Sequence, residues 1–107
     1  MSSFINSPVA NVGTTEQAIF APATGVKAIL IGCNLANKTG GILPISIWVR
    51  RAGTDTYIVK NKRVGNGENE EIMRGNKMVL VPGDTLMASS ATDNAFDVIA
   101  SILTGVA

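Results

Sequence analysis

Gly, Pro, Asn and Asp break the apolar runs of this chain about once every ten residues, a spacing that leaves room for strands but not for helices of ordinary length. The breakers stand as "APATG", "ANKTGG", "RAGTD", "VGNGEN", "RGN", "VPGD" and "ATDN". Between them the sequence predicts strands at Glu16–Ala21, Lys27–Leu35, Leu43–Arg51, Thr56–Lys60, Glu70–Met73, Lys77–Val81, Thr85–Ser89 and Ala95–Leu103. About eight strands at this interval describe an all-β chain, a single antiparallel β-sandwich of jelly-roll or immunoglobulin-like type, with the count leaning to the jelly roll. Residues 1–25 are expected to supply an extended N-terminal arm and the first strand, and residues 26–107 the remainder of one domain.

Side-chain alternation says which strands need cover. In Leu43–Arg51, Ile45, Ile47 and Val49 point one way while Ser46, Trp48 and Arg50 point the other, with Trp48 the anomaly on the polar side. In Ala28–Leu35, Ile29, Ile31, Cys33 and Leu35 are expected on one face, yet Ala28 and Leu30 oppose them. Ala95–Leu103 repeats this, with Phe96, Val98, Ala100 and Ile102 against Ile99 and Leu103. Strands apolar on both sides are usually covered on both. The cover is a loop, the arm "MSSFINSPVANVG" or another subunit.

Two loops invite a functional reading. "VPGD" places Asp84 where a ligand-binding or catalytic carboxylate could sit, and "VGNGEN" looks glycine-rich. Neither has the context: the phosphate-binding glycine patterns are missing, and the chain has no histidine to serve Asp84. Both read better as turns. Asn66 and Gly67 tolerate the positive φ of a tight hairpin; Pro82 presets φ, Gly83 supplies positive φ and Asp84 bonds nearby backbone. On this reading Gly83→Val impairs folding or assembly and Asp84→Asn costs little.

Composition removes most other classes. No catalytic residues are expected, no metal ligands and no cofactor: Glu68, Glu70 and Glu71 form the one acidic cluster, and the scattered aspartates fit no calcium loop. Cys33 stands alone in an apolar run, which excludes an intrachain disulfide and reads as a small buried hydrophobe. A net charge of +1 offers no basic excess for sequence-specific nucleic acid, and no apolar run approaches a membrane helix. "MSSFINSP" lacks the features of a secretory signal, so folding in a cytoplasm is expected and Asn37-Lys38-Thr39 is simply a turn. Charged residues are only 16% of the chain, against roughly a quarter in average domains, which leaves a neutral surface that neighbours can cover cheaply.

Candidate subunit contacts follow. Phe4, Ile5 and Val9 lie in the arm. Arg50, Arg51, Lys60, Lys62 and Arg63 form a basic strip beside the acidic Glu68, Glu70 and Glu71, and opposite strips either set register between subunits or are solvated loop ends. Trp48 and Tyr57 anchor a protein interface or, as the alternative, form a sugar-stacking platform of a carbohydrate-binding module.

"ILIGCNLANKTGG", "ISIWVRR", "YIVKNKRVGNGENEE", "NKMVLVPGDTLMASS" and "FDVIASIL", in this order from about Lys27 to Leu103, resemble a family of small β-sandwich structural proteins of tailed bacteriophages. The resemblance implies a virion component made in the host bacterial cytoplasm: a capsid decoration (cement) protein, or a neck, collar or tail subunit. The implied partners are copies of itself and other virion proteins, the major capsid protein or neck and tail proteins. The family supplies no catalytic residues to carry over.

Overall fold

The computed structural model describes residues 3–106 and is built of strands alone among them. There are nine: β1 Ser3–Val12, β2 Gln17–Phe20, β3 Lys27–Asn37, β4 Leu43–Arg51, β5 Thr54–Val64, β6 Asn69–Glu71, β7 Met78–Leu80, β8 Thr85–Ser90 and β9 Phe96–Val106. They form a larger sheet in the order β1-β9-β3-β6, with β7 also on β3, and a smaller sheet in the order β2-β8-β4-β5. Every pairing is antiparallel. The expected sandwich is present, and its nested strand order is that of a jelly roll with one strand broken in two.

The inner faces close on a core led by Phe96, Leu30, Leu35, Ile45, Ile47, Leu86 and Ile102, each at most 1% exposed. β9 alternates as its sequence predicts: Phe96, Val98, Ala100 and Ile102 are buried and Ile99 is exposed. β3 does not keep one phase. Ala28 and Leu30 are buried, then Cys33, Leu35 and Asn37, because Ile31 is an extra residue where Leu30 faces Ile102 and Gly32 faces Ser101. This β-bulge flips the strand, so the expectation that Ile29, Ile31, Cys33 and Leu35 share a face is corrected. Ile29 and Ile31 stand on the outer side.

The N-terminal segment lies in the larger sheet as an edge strand. β1 pairs with β9 from Ser3↔Thr104 to Val12↔Phe96, so it neither covers a sheet face nor hangs free. Ser7 Oγ donates to the Ile19 carbonyl at 2.5 Å, tying this edge to β2 across the sandwich.

β6 and β7 follow each other along the other edge of β3, on Asn34–Ala36 and Ala28–Leu30 respectively. The gap between them leaves backbone to satisfy. Ile72 N–H donates to the Cys33 carbonyl at 3.0 Å, and the Glu71 carboxylate accepts from Cys33 N–H at 3.0 Å and Met73 N–H at 2.8 Å. A side chain thus completes a ladder that the chain itself interrupts.

The two glycine turns are corners between sheets. Asn66-Gly67 leads from β5 in the smaller sheet to β6 in the larger, and only Gly67 has positive φ, +68°, so the expected hairpin is corrected to a crossover. Pro82-Gly83 leads from β7 back to β8, with Asp84 N–H donating to the Val81 carbonyl at 3.0 Å and Gly83 at φ +97°, a type II turn. The tight hairpin is elsewhere, at β4–β5, where Arg51 faces Thr54 and both central residues, Ala52 at +52° and Gly53 at +80°, are left-handed. Alanine fits that conformation poorly. Ala52→Asn is therefore expected to raise stability by about 0.5–1 kcal/mol in urea denaturation. An unchanged midpoint would show that Ala52 carries no strain.

Candidate assembly surfaces

The outer faces of the two sheets differ in chemistry. Residues paired across antiparallel strands share a face, so the register Phe4↔Leu103, Leu103↔Ile29, Ile29↔Val79 lays one apolar row across β1, β9, β3 and β7. Phe4 is 76% exposed and Val79 55%. Pro8↔Ile99 adds a second apolar pair on the same face, and Ile31 lines a shallow depression with Phe4, Asn6 and Ser101. Charge reaches this face at its margins, through exposed Lys27 at the start of β3 and Lys77 just before β7, through Glu71, which holds backbone, and through Asp97, which Lys38 meets at 3.1 Å.

The smaller sheet's outer face is charged but internally paired. Arg50 is bidentate to Glu16, at 2.9 Å to each oxygen, and bonds Asp55 at 2.8 Å. Its guanidinium holds both carboxyls below the usual range. At the seam between the sheets, Lys62 of β5 pairs with Glu70 of β6 at 3.0 Å, and Arg74 approaches the same carboxylate at 3.6 Å; Glu70 is lowered chiefly by the Lys62 hydrogen bond. The basic and acidic strips thus meet within one chain. Arg63 and Glu68 have no ion pair among the described residues, and Lys60 lies 4.8 Å from the Tyr57 ring centre.

Trp48 faces outward with Met87 and Tyr57, its cross-strand partners, and lies apart from the main core. Its ring packs at 5.3 Å from Tyr57 and is only 3% exposed, so it presents no face on which a sugar could stack. The buried indole N–H has no hydrogen-bond partner among the described residues; Asp55 feels it only as the smallest of its lowering influences. Phe4 and Ile5 are exposed at the β1 edge, whereas Val9 packs against the core.

Asp84 is buried, and its partner is Arg51. The carboxylate accepts from Arg51 Nε at 2.6 Å and Nη2 at 2.7 Å, and from Val81 N–H at 3.0 Å. Arg51, first among these, holds the carboxyl below its ordinary value against the opposing effect of burial. The register Arg50↔Thr85 is what places Arg51 beside Asp84, and no local sequence signal announces a pair 33 residues apart. This pair raises the cost expected for Asp84→Asn, since an amide would turn its NH2 donors toward a guanidinium that also only donates. Cys33 is fully buried, and burial, with Glu71 second, pushes its thiol up to about 12. It is unsuited to disulfide chemistry.

Beside the Arg51–Asp84 pair the sandwich is open. A cleft of about 230 Å³ lies between β5 and β7, lined by Val49, Ile58, Met78 and Val79 together with Tyr57 and Arg51. No His, Cys, Asp and Glu cluster able to hold a metal ion occurs among the described residues.

No family model matches this chain, and no curated protein matches it. Solved structures share its fold. A protein of Bacillus endospore appendages, which form disulfide-linked pili, is similar over 99% of this chain and 90% of its own, with TM-score 0.55 and 16% identity. A protein of infectious bursal disease virus, Gx strain, matches 97% of this chain with TM-score 0.55 and 13% identity, but this chain spans only 31% of its length. The nucleoplasmin-like N-terminal domain of Drosophila FKBP39 covers the whole chain, with 93% of its own length, TM-score 0.51 and 12% identity. At these identities the likeness is one of fold.

The buried carboxylate sets two expectations. Because the Arg51 side chain is 61% exposed, water screens the pair, and Asp84→Ala should cost about 2 kcal/mol rather than the larger loss of a fully buried pair. Asp84→Asn should cost about 1 kcal/mol, measured by urea unfolding. Glu16, Asp55, Glu70, Asp84, Asp93 and Asp97 all sit below their ordinary values when folded. Their stabilisation is therefore complete above the unfolded carboxylate range and drains away as pH falls through the folded values. With no histidine, stability should stay level between pH about 5 and 8 and decline below about 4. A decline beginning near neutrality would contradict this assignment of the charges.

Proposed function

We propose that this chain is a non-enzymatic structural subunit of a bacteriophage virion, a capsid decoration protein that stabilises the head by seating on adjacent shell subunits. The observation that carries the reading is the apolar row Phe4–Leu103–Ile29–Val79, with Ile99 beside it, across a sheet face whose charges lie at its margins. A face of this kind loses little on desolvation and gains about 25 cal/mol for each Å² of apolar surface removed from water. The opposite face keeps its Arg50 ion pairs in solvent and holds the subunit soluble on its outer side. Repetition on a symmetric shell adds avidity to a contact of modest strength. Similarity of fold to a viral protein and to a pilus protein is consistent with this role without specifying it.

Heads prepared without the protein provide the test. Purified protein should bind them saturably and raise the temperature at which they open. Ile99→Asp, at an exposed site that leaves the core intact, should lose that binding while its circular dichroism stays native. Heads that ignore the wild-type protein, or bind Ile99→Asp equally well, would refute the decoration role.

A further inference from the structure

Each molecule carries an unguarded strand edge at one side of its larger sheet and an unfilled apolar cleft at the other. Exposed edges are normally blunted by charge, proline or bulges. β5 follows that rule, with Asp55, Lys60, Lys62 and Arg63 along it and register shifts against β4. β6 carries Glu70 and Glu71, and β2 is four residues long. In β1, proline comes only at position 8, so Ser3–Ser7 has neither charge nor proline, and it presents Phe4 at 76% exposure and Ile5 at 38%.

The opposite seam is the counterpart. Near β1 the two sheets are tied by Ser7 and Ile19, whereas between β5 and β7 the cleft remains open. At about 230 Å³ it falls below the roughly 300 Å³ at which small-molecule sites begin, and it suits one or two inserted side chains. Its single charged lining residue, Arg51, is already neutralised by Asp84, so an uncharged segment can enter without stranding a charge. Val79 belongs both to the cleft and to the apolar row that begins at Phe4.

We infer that β7 and the cleft beside it receive the β1 edge of a second copy of this chain, with Phe4 seated against Val79 on the outer face and Ile5 turned toward the cleft. The inference rests on the structural-subunit reading above and names one of its partners. Strand direction permits it: β1, β9, β3 and β7 alternate, so β1 of a copy displaced along the row runs antiparallel to β7 and brings Phe4 beside Val79. Five residues of strand extend about 17 Å. So short a contact covers less than the about 800 Å² per partner of a standard two-body interface. It also leaves one edge and one cleft free on every pair, so it is heterologous and propagates into rings or filaments instead of closing as a dimer.

Sedimentation velocity over a range of concentrations tests this with two variants, Phe4→Asp at the edge and Val79→Asp at the cleft. Wild-type protein should form concentration-dependent species larger than a dimer. Each variant alone should stay monomeric, self-associating at least about tenfold more weakly. Mixed, the two should give a 1:1 heterodimer and nothing larger, because one sound edge then meets one sound cleft. Wild-type protein that remains monomeric throughout, or a mixture that yields no heterodimer, overturns the inference. Binding of wild-type protein and Ile99→Asp to heads is scored separately, so loss of self-association with head binding intact would remove this contact and leave the decoration role standing.

Discussion

The antiparallel pairing of β3 with β9 at the centre of the larger sheet is the contact on which the molecule depends. Between them these strands contribute Ala28, Leu30, Cys33, Leu35, Phe96, Val98, Ala100 and Ile102, all fully buried. A buried Val, Leu, Ile or Phe is worth about 1.5–3 kcal/mol relative to exposure, so this pair supplies a large share of the driving force for folding. β1 is added to one side of it and β6 and β7 to the other, while the smaller sheet supplies Ile45, Ile47, Leu86 and Ala88 to the opposing layer. β6 and β7, at three residues each, add only short edges to the central pair.

Around that centre, the irregular backbone is held by specific side chains. Glu71 fills the gap in the ladder between β6 and β7, and Arg51 with Asp84 fixes the corner from β7 to β8. Buried Asn37 does the same where β3 ends: its amide donates to the carbonyls of Gly41 and Val64, each at 2.8 Å, and its oxygen accepts from Thr39. These are the polar residues that a search for chemistry would examine first. Each is occupied by backbone or by a single partner, and burial without such partners would be costly. Their role is to set loop geometry.

What remains unoccupied lies on the larger sheet: its outer apolar row, the Ser3–Ser7 edge and the cleft beside β7. The charges have largely been used within the chain, so subunit contact, where it occurs, has to come from apolar packing and strand edges. A low charged fraction of 16% and the apolar row belong together in this way: the molecule places most of its ion pairs at its own corners and leaves charge on the outer face of the larger sheet to the margins.

Much of this was legible in the residue order. The spacing of Gly, Pro, Asn and Asp determined an antiparallel all-β sandwich, and the alternation in β9 identified its buried side, because a strand's two-residue period links sequence directly to face. The apolar excess on the second side of β3 and β9 likewise announced that an outer face would be hydrophobic. Tertiary structure decided the rest. A one-residue bulge at Ile31 reversed the phase of β3, the strand register brought Arg51 to Asp84, and pairing with β9 drew Ser3–Val12 into the sheet. Each of these depends on which strand lies beside which, a long-range choice fixed by the packing of the whole core, whereas local periodicity reports only on a residue's immediate neighbours.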